Sequence, residues 1–373
     1  MKKEKIYVLV LVTVMDRAGA ETMMMNCLRN IDRDRFQLDF LINRPEKADY
    51  EKEIESLGSH IYHMGPIYPG KIRKYKKEIR QFLLEHQKYQ ILYSHLEERS
   101  CLAMTVAKKL GIPVRIVHAH SVPNHLNLKY PVRLYFRKRL KGTYTHKVAC
   151  SSASARWLFG TEEGVQILKN AVDTEVFRYR EEIREKIRKS LKIKDDTLVV
   201  GHIGRFTYEK NHNFLLDIFY EIQKQRPDSK LLLIGGGRPK EEIKTKQSIR
   251  DKIHELGLGT KVNFLGVRNN IEELLQAIDV LVMPSRSEGF PMTLVEAQAT
   301  GTRCLVSDQI PYEVNISEEV QFLSLENEPV EWANKAISFR HSTLNQEAMN
   351  QKVMDAGYDI KSAVKEMETL FGK

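Results

Sequence analysis

The chain is short of several things, and each shortage removes a class of protein. Its four cysteines, Cys27, Cys101, Cys150 and Cys304, are far apart and form no C-x-x-C pair. That excludes a disulfide framework and a cysteine zinc site, and it suits a reducing compartment. No stretch reaches the ~20 successive apolar residues of a membrane-spanning helix. There is no G-K-[ST], so P-loop chemistry is excluded. The glycine-rich "LLLIGGGRP" (231–239) is not a dinucleotide fingerprint either, because Lys240 stands where the third glycine would fall. Short-period repeats and low-complexity tracts are missing too.

What is present points to a two-domain globular chain. Its 373 residues exceed what one hydrophobic core organises, and 42% hydrophobic with 29% charged residues is the balance of a soluble protein. A net charge of +10 and a pI near 9.2 imply attraction to an anion, whether nucleic acid, phosphoryl ligand or acidic lipid.

The N-terminus admits two readings. Lys2, Lys3 and Lys5 precede the apolar run Ile6–Met15, and Ala18-Gly19-Ala20 resembles a signal-peptidase site. The charged Asp16 and Arg17 oppose cleavage there, and the alternation that follows needs a first strand. We therefore read a buried strand of a parallel sheet.

Strand candidates are 6–14, 36–42, 60–63, 91–94, 114–118 and 147–150, separated by helical patterns at 21–30, 71–87, 98–110, 129–140 and 152–159. The rhythm restarts with strands at 197–203, 230–234, 262–265, 280–283 and 303–306, and helices at 213–224, 241–256, 270–277 and 292–300. Strands alternating with helices mean βαβ units, so the expected fold is α/β, two doubly wound parallel sheets in sequence. Expected domains are 1–172 and 173–350, with 168–182 as hinge. A C-terminal helix at 351–373 packs back on the first domain.

Ligands of such sheets sit beyond the carboxyl ends of the strands, so the strand-to-helix loops carry the chemistry. In "GHIGRFTYEKNHNFLLDIF" (201–219), Arg205 and Lys210 flank a helix start, where amides, dipole and cations suit a diphosphate. Two surface cations among 59 are the bland alternative. Gly235 permits close backbone approach to a ligand. Val267, after Leu265-Gly266, exposes backbone that can pair with a base edge, or simply forms a turn.

The stretch "SEGFPMTLVEAQATG" (287–301) holds Glu288 in a loop and Glu296 in the following helix. Gly289, Phe290 and Pro291 fix that loop, and Pro291 fits the first helical turn. One carboxylate can take the hydroxyls of a sugar and the other a ribose diol. Free amides of Phe290, Met292, Thr293 and Leu294 would face the phosphate between them. A plain helix cap explains Glu288 alone.

In the first half, Gly19 opens a helix after the first strand and would let a diphosphate or acceptor approach. "PVRIVHAHSVPNH" (113–125) places His118 at a strand end, with His120 two residues on. With His95 and His125 these histidines suggest a metal, but no carboxylate or cysteine joins them, so we expect none. A histidine there suits a hydrogen bond to substrate. Asp32-Arg33-Asp34 precedes a strand, on the wrong edge for a ligand, and reads as a helix-exit turn. The basic stretches "KIRKYKKEIR" (71–80) and "RLYFRKRLK" (133–141) read as solvated helix faces or as a patch for anionic lipid.

With these loops in view, the chain resembles the retaining glycosyltransferases of family 4, and among them bacterial enzymes of exopolysaccharide and capsule assembly. The resemblance runs nearly end to end, through "GAETMMMN", "VHAHS", "ACSSASARWLFG", "NAVDTEVF", "GRFTYEKNHNFLLDIF", "LLLIGGG", "FLGVRNNI" and "PSRSEGFPMTLVEAQATG". It implies the GT-B fold, two facing Rossmann-like domains, with a nucleotide-sugar donor carried on the second. Arg205 and Lys210 would then stabilise the leaving diphosphate, Glu288 hold the sugar and Glu296 the ribose. His118, or else His120, would lie beside the transferred sugar, and Gly19 near the phosphates. It further implies a UDP-linked donor, a saccharide or lipid-linked oligosaccharide acceptor, retention of configuration and no metal or other cofactor. Cytoplasmic location follows, with peripheral association at the inner membrane face. Where the family reads Gly-Gly-Ala-Glu, this chain has Ala18-Gly19-Ala20-Glu21.

Two rivals stand beside this reading. One is a basic polyanion binder, which 49 interleaved acids and the lack of an aromatic-basic motif oppose, so nucleic acid is not an expected partner. The other is a nucleotide-sugar epimerase or a phosphorylase on the same fold.

Overall fold

The computed structural model describes residues 5–17, 19–121, 130–236, 239–339 and 344–372. Ala18 and His125, named above, lie outside the described residues, as do Lys2, Lys3 and the third glycine of 231–239. The chain divides into two compact units, Met1–Ala171 with Ile360–Lys373, and Val172–Asp359.

The first unit is built on β1 (Ile6–Val12), α1 (Gly19–Asn30), β2 (Phe36–Ile42), α2 (Glu51–Ser56), β3 (Ile61–His63), α3 (Ile72–Glu85), β4 (Ile91–Ser94), α4 (Ser100–Lys109), β5 (Val114–Ala119), α5 (Tyr130–Leu140), β6 (His146–Ala149), α6 (Ser152–Phe159) and β7 (Val165–Ile167). Its seven strands are parallel, in the order β3-β2-β1-β4-β5-β6-β7. The apolar run at the N-terminus is a central strand, with Val8 to Leu11 fully buried. Helices cover both faces, and β1, at the centre, reads as an unbroken apolar run.

The second unit follows with α7 (Glu181–Ser190), β8 (Leu198–Ile203), α8 (His212–Gln225), β9 (Ser229–Ile234), α9 (Pro239–Glu255), β10 (Val262–Gly266), α10 (Ile271–Ala277), β11 (Val280–Met283), α11 (Met292–Thr300), β12 (Arg303–Ser307), β13 (Val320–Leu323), α12 (Pro329–Ser338) and α13 (Gln346–Val353). Its six strands run in the order β10-β9-β8-β11-β12-β13. In both sheets the order reverses beside the first strand, between β1 and β4 and between β8 and β11. That reversal opens a crevice at the carboxyl edge.

The expected single C-terminal helix is two. Gly357, at φ 77°, breaks the pattern within Met354–Tyr358. α13 stays with the second unit, while α14 (Ile360–Phe371) belongs to the first. There Phe371 meets Phe36 and Tyr93 edge-on, at 5.9 and 5.6 Å between ring centres. The sequence reading also passed over β7, β13, α2, α7 and α12. α7 is held electrostatically: the buried Arg188 guanidinium donates to the carbonyls of Lys194, Thr197 and Ala277 and pairs with Asp279, as Arg184 does. Asp279 in turn accepts the Val199 amide at 2.7 Å, which ties α7 to the sheet.

Candidate functional site

The loops leaving β8 and β11, the two strands that flank the second sheet's reversal, close on each other. After β8 the chain passes Gly204-Arg205, makes a single 3-10 turn at Tyr208–Lys210 and enters α8 through Asn211, whose φ of 55° is left-handed. After β11, Arg286 reaches back: its amide donates to the Glu209 carbonyl at 2.7 Å and its guanidinium to Asn211 Oδ1 at 2.6 Å. The same guanidinium lies 4.6 Å from the centre of the Tyr208 ring. Two loops distant in the chain thereby become one surface.

On that surface Lys210 Nζ meets Glu288 Oε1 at 2.6 Å, with the two side chains 16% and 13% exposed. Arg205 is exposed, and none of the ion pairs among the described residues involves it. The structure thus brings Lys210 and Glu288 into contact and leaves Arg205 exposed, near enough to Glu209 to help hold that carboxyl below the usual range. Beneath them lie two histidines that the sequence reading did not single out. His212 stacks on Phe206 at 4.8 Å and meets His202 edge-on at 4.6 Å. Burial pushes them down to about 2 and about 4, and the Lys210 charge adds to the push. Both are neutral at physiological pH and keep the floor of the loop uncharged.

The glycine loops interlock along the same edge. Gly204 donates to the Ile234 carbonyl, Phe206 to that of Gly236, and Gly235 to that of Gly266, at 2.8–2.9 Å. Gly235 sits at φ 133°, and a Cβ there would lie 2.0 Å from the Gly204 carbonyl oxygen. Val267 follows Gly266 and is 59% exposed.

α11 begins behind Pro291, which occupies the N-cap. The amides of Met292 and Thr293 have no acceptor among the described residues. Leu294 is different: its amide donates to the Pro291 carbonyl at 3.0 Å, so it is not among the free donors expected there. The helix tightens at its first turn, which uses that donor internally. Gly289 has open space around it, and Phe290 stacks flat on Tyr358 at 5.5 Å. Glu296 lies farther along α11. Burial and the nearby Glu272 carboxylate push it up to about 7, and none of the ion pairs among the described residues includes it.

Residues 17–176 match the family described as Glycosyltransferase Family 4, and residues 183–354 the one described as Glycosyl transferases group 1. Over 360 residues the chain is 31% identical to EpsF of Bacillus subtilis, named as a glycosyltransferase, covering 94% of this chain and 92% of that one. The chain belongs to glycosyltransferase family 4. A second relative of this transferase, 26% identical over 61% of this chain and 59% of its own, is the Escherichia coli UDP-Gal:alpha-D-GlcNAc-diphosphoundecaprenol alpha-1,3-galactosyltransferase. The fold is GT-B, as in Anabaena Alr3699/HepE in complex with UDP-glucose, with a TM-score of 0.80 at 18% identity over 98% of this chain and 100% of that one.

The transferase's first unit carries a second cluster, at the carboxyl ends of β4 and β5. Gly19 is exposed at the first position of α1. His118 is fully buried, its Nδ1 2.6 Å from the Tyr93 hydroxyl. His95 Nδ1 lies 2.7 Å from His120 Nε2, and the three rings overlap at 4.0–5.2 Å. Burial and mutual repulsion hold His118 and His95 well below the usual range, and burial alone takes His120 to about 4. The ring nitrogens of His95, His118 and His120 lie within 4.8 Å of one another, and no carboxylate or cysteine joins that group among the described residues; the acid and the thiol nearby reach only the His120 backbone. Glu97 Oε1 accepts the His120 amide and the Ser121 hydroxyl, and the Cys150 thiol donates to the His120 carbonyl. Glu97 has a φ of 53°, left-handed for a non-glycine residue, and burial pushes its carboxyl up to about 7. Strain of that kind persists only where its surroundings impose it.

Proposed function

We propose that this transferase moves a sugar from a UDP-linked donor to a saccharide or lipid-linked acceptor in bacterial polysaccharide assembly, with retention and without a metal. The observation that carries the donor site is the Lys210–Glu288 pair at the β8/β11 reversal, beside the exposed Arg205 and the first amides of α11, which have no acceptor among the described residues. Without donor, the two charges neutralise each other. With donor, the diphosphate takes Lys210 and Arg205 while the sugar hydroxyls take Glu288, so neither side chain is left as an uncompensated, half-buried charge. Negative charge builds on the leaving phosphate as the glycosidic bond breaks, and fixed cations and amides aimed there stabilise the transition state most. Glu296 accepts the ribose diol, Gly235 and the Val267 backbone border the nucleoside, and Gly289 and Phe290 shape the sugar pocket. The acceptor hydroxyl attacks from the leaving-group face and loses its proton to a phosphate oxygen, so no carboxylate nucleophile is needed. UDP and lipid linkage are supported by the Escherichia coli relative, which pairs UDP-Gal with a diphosphoundecaprenol-linked acceptor.

The decisive experiment incubates the purified chain with a panel of UDP-sugars and undecaprenyl-diphosphate-linked N-acetylglucosamine. Release of UDP together with an α-glycosylated acceptor is expected. A β-linked product would sink retention, and an epimerised free nucleotide-sugar would sink transfer altogether.

A pH dependence follows from Glu296. Its folded value near 7 lies above the usual carboxylate range, so it holds a proton below pH 7 and loses it above. The charged form accepts both diol hydrogens, so UDP-glucose affinity should rise with pH through about 7 and level off. UDP-glucose serves because its diphosphate diester has no proton to lose in that range. Glu296→Gln should abolish the rise in titration calorimetry; a slope that survives the substitution assigns the titration elsewhere.

A further inference from the structure

We propose that Arg286 is a positioning residue for sugar transfer: it holds the turn that carries Lys210 and does not itself touch substrate. The role rests on the donor site proposed above. Lys210 ends a single 3-10 turn, Tyr208–Lys210, which holds itself poorly. Its closing bonds run from the Lys210 amide to the Thr207 carbonyl and from the Asn211 amide to the Tyr208 carbonyl, at 3.3 and 3.2 Å. Those lengths fall at the weak end for a backbone bond, as 3-10 geometry tends to. Asn211 comes next, at φ 55° and ψ 44°. A residue with a side chain keeps that left-handed conformation only where its surroundings impose it. Asn211 also stands at the N-cap of α8, where an asparagine ordinarily accepts an amide of the first helical turn. Here it accepts none. Its Oδ1 accepts instead from the Arg286 guanidinium at 2.6 Å.

The Arg286 amide donates to the Glu209 carbonyl at 2.7 Å, and its guanidinium lies 4.6 Å from the centre of the Tyr208 ring. One residue thereby grips Tyr208, Glu209 and Asn211, on both sides of Lys210, with bonds shorter than those that close the turn. The grip has a fixed base. The Ser307 hydroxyl of β12 donates to the Ser285 carbonyl, directly before Arg286. Glu288 follows two residues later, so the same short segment carries the clamp and the carboxylate that meets the Lys210 ammonium at 2.6 Å. The Lys210 stem runs past Gly204, where an added Cβ would lie 3.1 Å from it. With the stem walled by Gly204 and the ammonium held by Glu288, the freedom left to Lys210 is that of its own backbone, and Arg286 removes it. A lysine at 286 could reach Asn211 but could not also lie flat on Tyr208, because only a guanidinium offers donors and a planar face together. Misplacing a catalytic group by about 1 Å costs on the order of a hundredfold in rate. The loss falls on turnover more than on binding, because the charge that Lys210 meets is greatest in the transition state.

The test follows UDP release from UDP-galactose and UDP-glucose, with undecaprenyl-diphosphate-linked N-acetylglucosamine as acceptor, alongside calorimetry of donor binding. Arg286→Ala should lower kcat roughly 30- to 100-fold, with donor affinity changed by less than about threefold and unfolding in denaturant unchanged. Asn211→Gly keeps the left-handed backbone and deletes only the acceptor, so it should lose a similar amount. The two together should lose no more than either alone, since both break one contact. Arg286→Lys should recover only part of kcat. Native kcat in Arg286→Ala, or losses that multiply in the double variant, would overturn the proposal. A donor affinity that falls as far as kcat would overturn it too, by making Arg286 a cation that binds the donor directly. Lys210→Ala separates this role from the donor site beneath it. An inactive Lys210→Ala beside a native Arg286→Ala sinks the positioning role alone, whereas native turnover in Lys210→Ala removes the donor site from this loop and the role with it.

Discussion

Lys210→Ala should lower turnover with the native donor about a thousandfold, the loss typical when one fixed donor facing a developing negative charge is removed. Its side chain is tethered at 2.6 Å to Glu288 and only 16% exposed, so it is oriented before substrate arrives. Lys210→Arg keeps the charge but spreads it over a planar fork that does not fit the same loop, and recovers only part of the rate. The alternative is that the pair is structural. Alanine at 210 leaves the Glu288 carboxylate half-buried without its cation, a defect worth about 1–3 kcal/mol of folding free energy. Adding Glu288→Gln to Lys210→Ala removes that orphaned charge. The double variant should therefore regain stability in denaturant unfolding while its turnover stays at the floor. Recovery of turnover along with stability would reduce the pair to a fold-holding contact and move the donor site elsewhere.

Much of this site could be read along the chain, because the chemistry sits in loops whose residue types are specific: a cation pair after one strand, a carboxylate with Gly-Phe-Pro after another. The strands were legible for a related reason. β1 and β11 are written as unbroken apolar runs, and the structure places both where those runs lie. β7 and β13 are three- and four-residue strands at the sheet edges, only partly buried and each interrupted by a glutamine, so no run announces them. α7 was missed because it reads EEIREKIRKS, nearly all charge. What makes it a packed helix is Arg188 bonding to carbonyls from other elements, a tertiary arrangement with no local pattern. The same limit holds within the site. Lys210 and Glu288 were each singled out for a ligand, but their bond to each other depends on β8 and β11 being neighbours. Glu97 escaped notice because a positive φ cannot be seen in a sequence. It sits among residues that look like a helix start, and only the fold carries it to the His120 amide.

Gly235→Ala should be the most damaging single-methyl change in the second unit. Two independent costs coincide there. The backbone stands at φ 133°, a region essentially reserved for glycine, and the new Cβ would lie 2.0 Å from a carbonyl oxygen of the adjoining loop. A strained backbone conformation costs of order 1–3 kcal/mol and an overpacked contact a similar amount, so a loss of about 4 kcal/mol is expected. Neither term relaxes cheaply. The clashing atom belongs to Gly204, whose amide is tied to the Ile234 carbonyl, and Gly235 itself donates to Gly266. Moving Gly204 outward displaces Arg205 next to it, so the chain that does fold should also bind UDP-glucose at least tenfold more weakly. Neighbouring Gly289 supplies the control, for a Cβ there meets nothing within 4 Å and φ is not positive. Gly289→Ala should leave unfolding unchanged and report only on what the sugar pocket admits. If Gly235→Ala unfolded at the native denaturant concentration and bound donor normally, the interlocked glycine loops would not be what holds Arg205 in place.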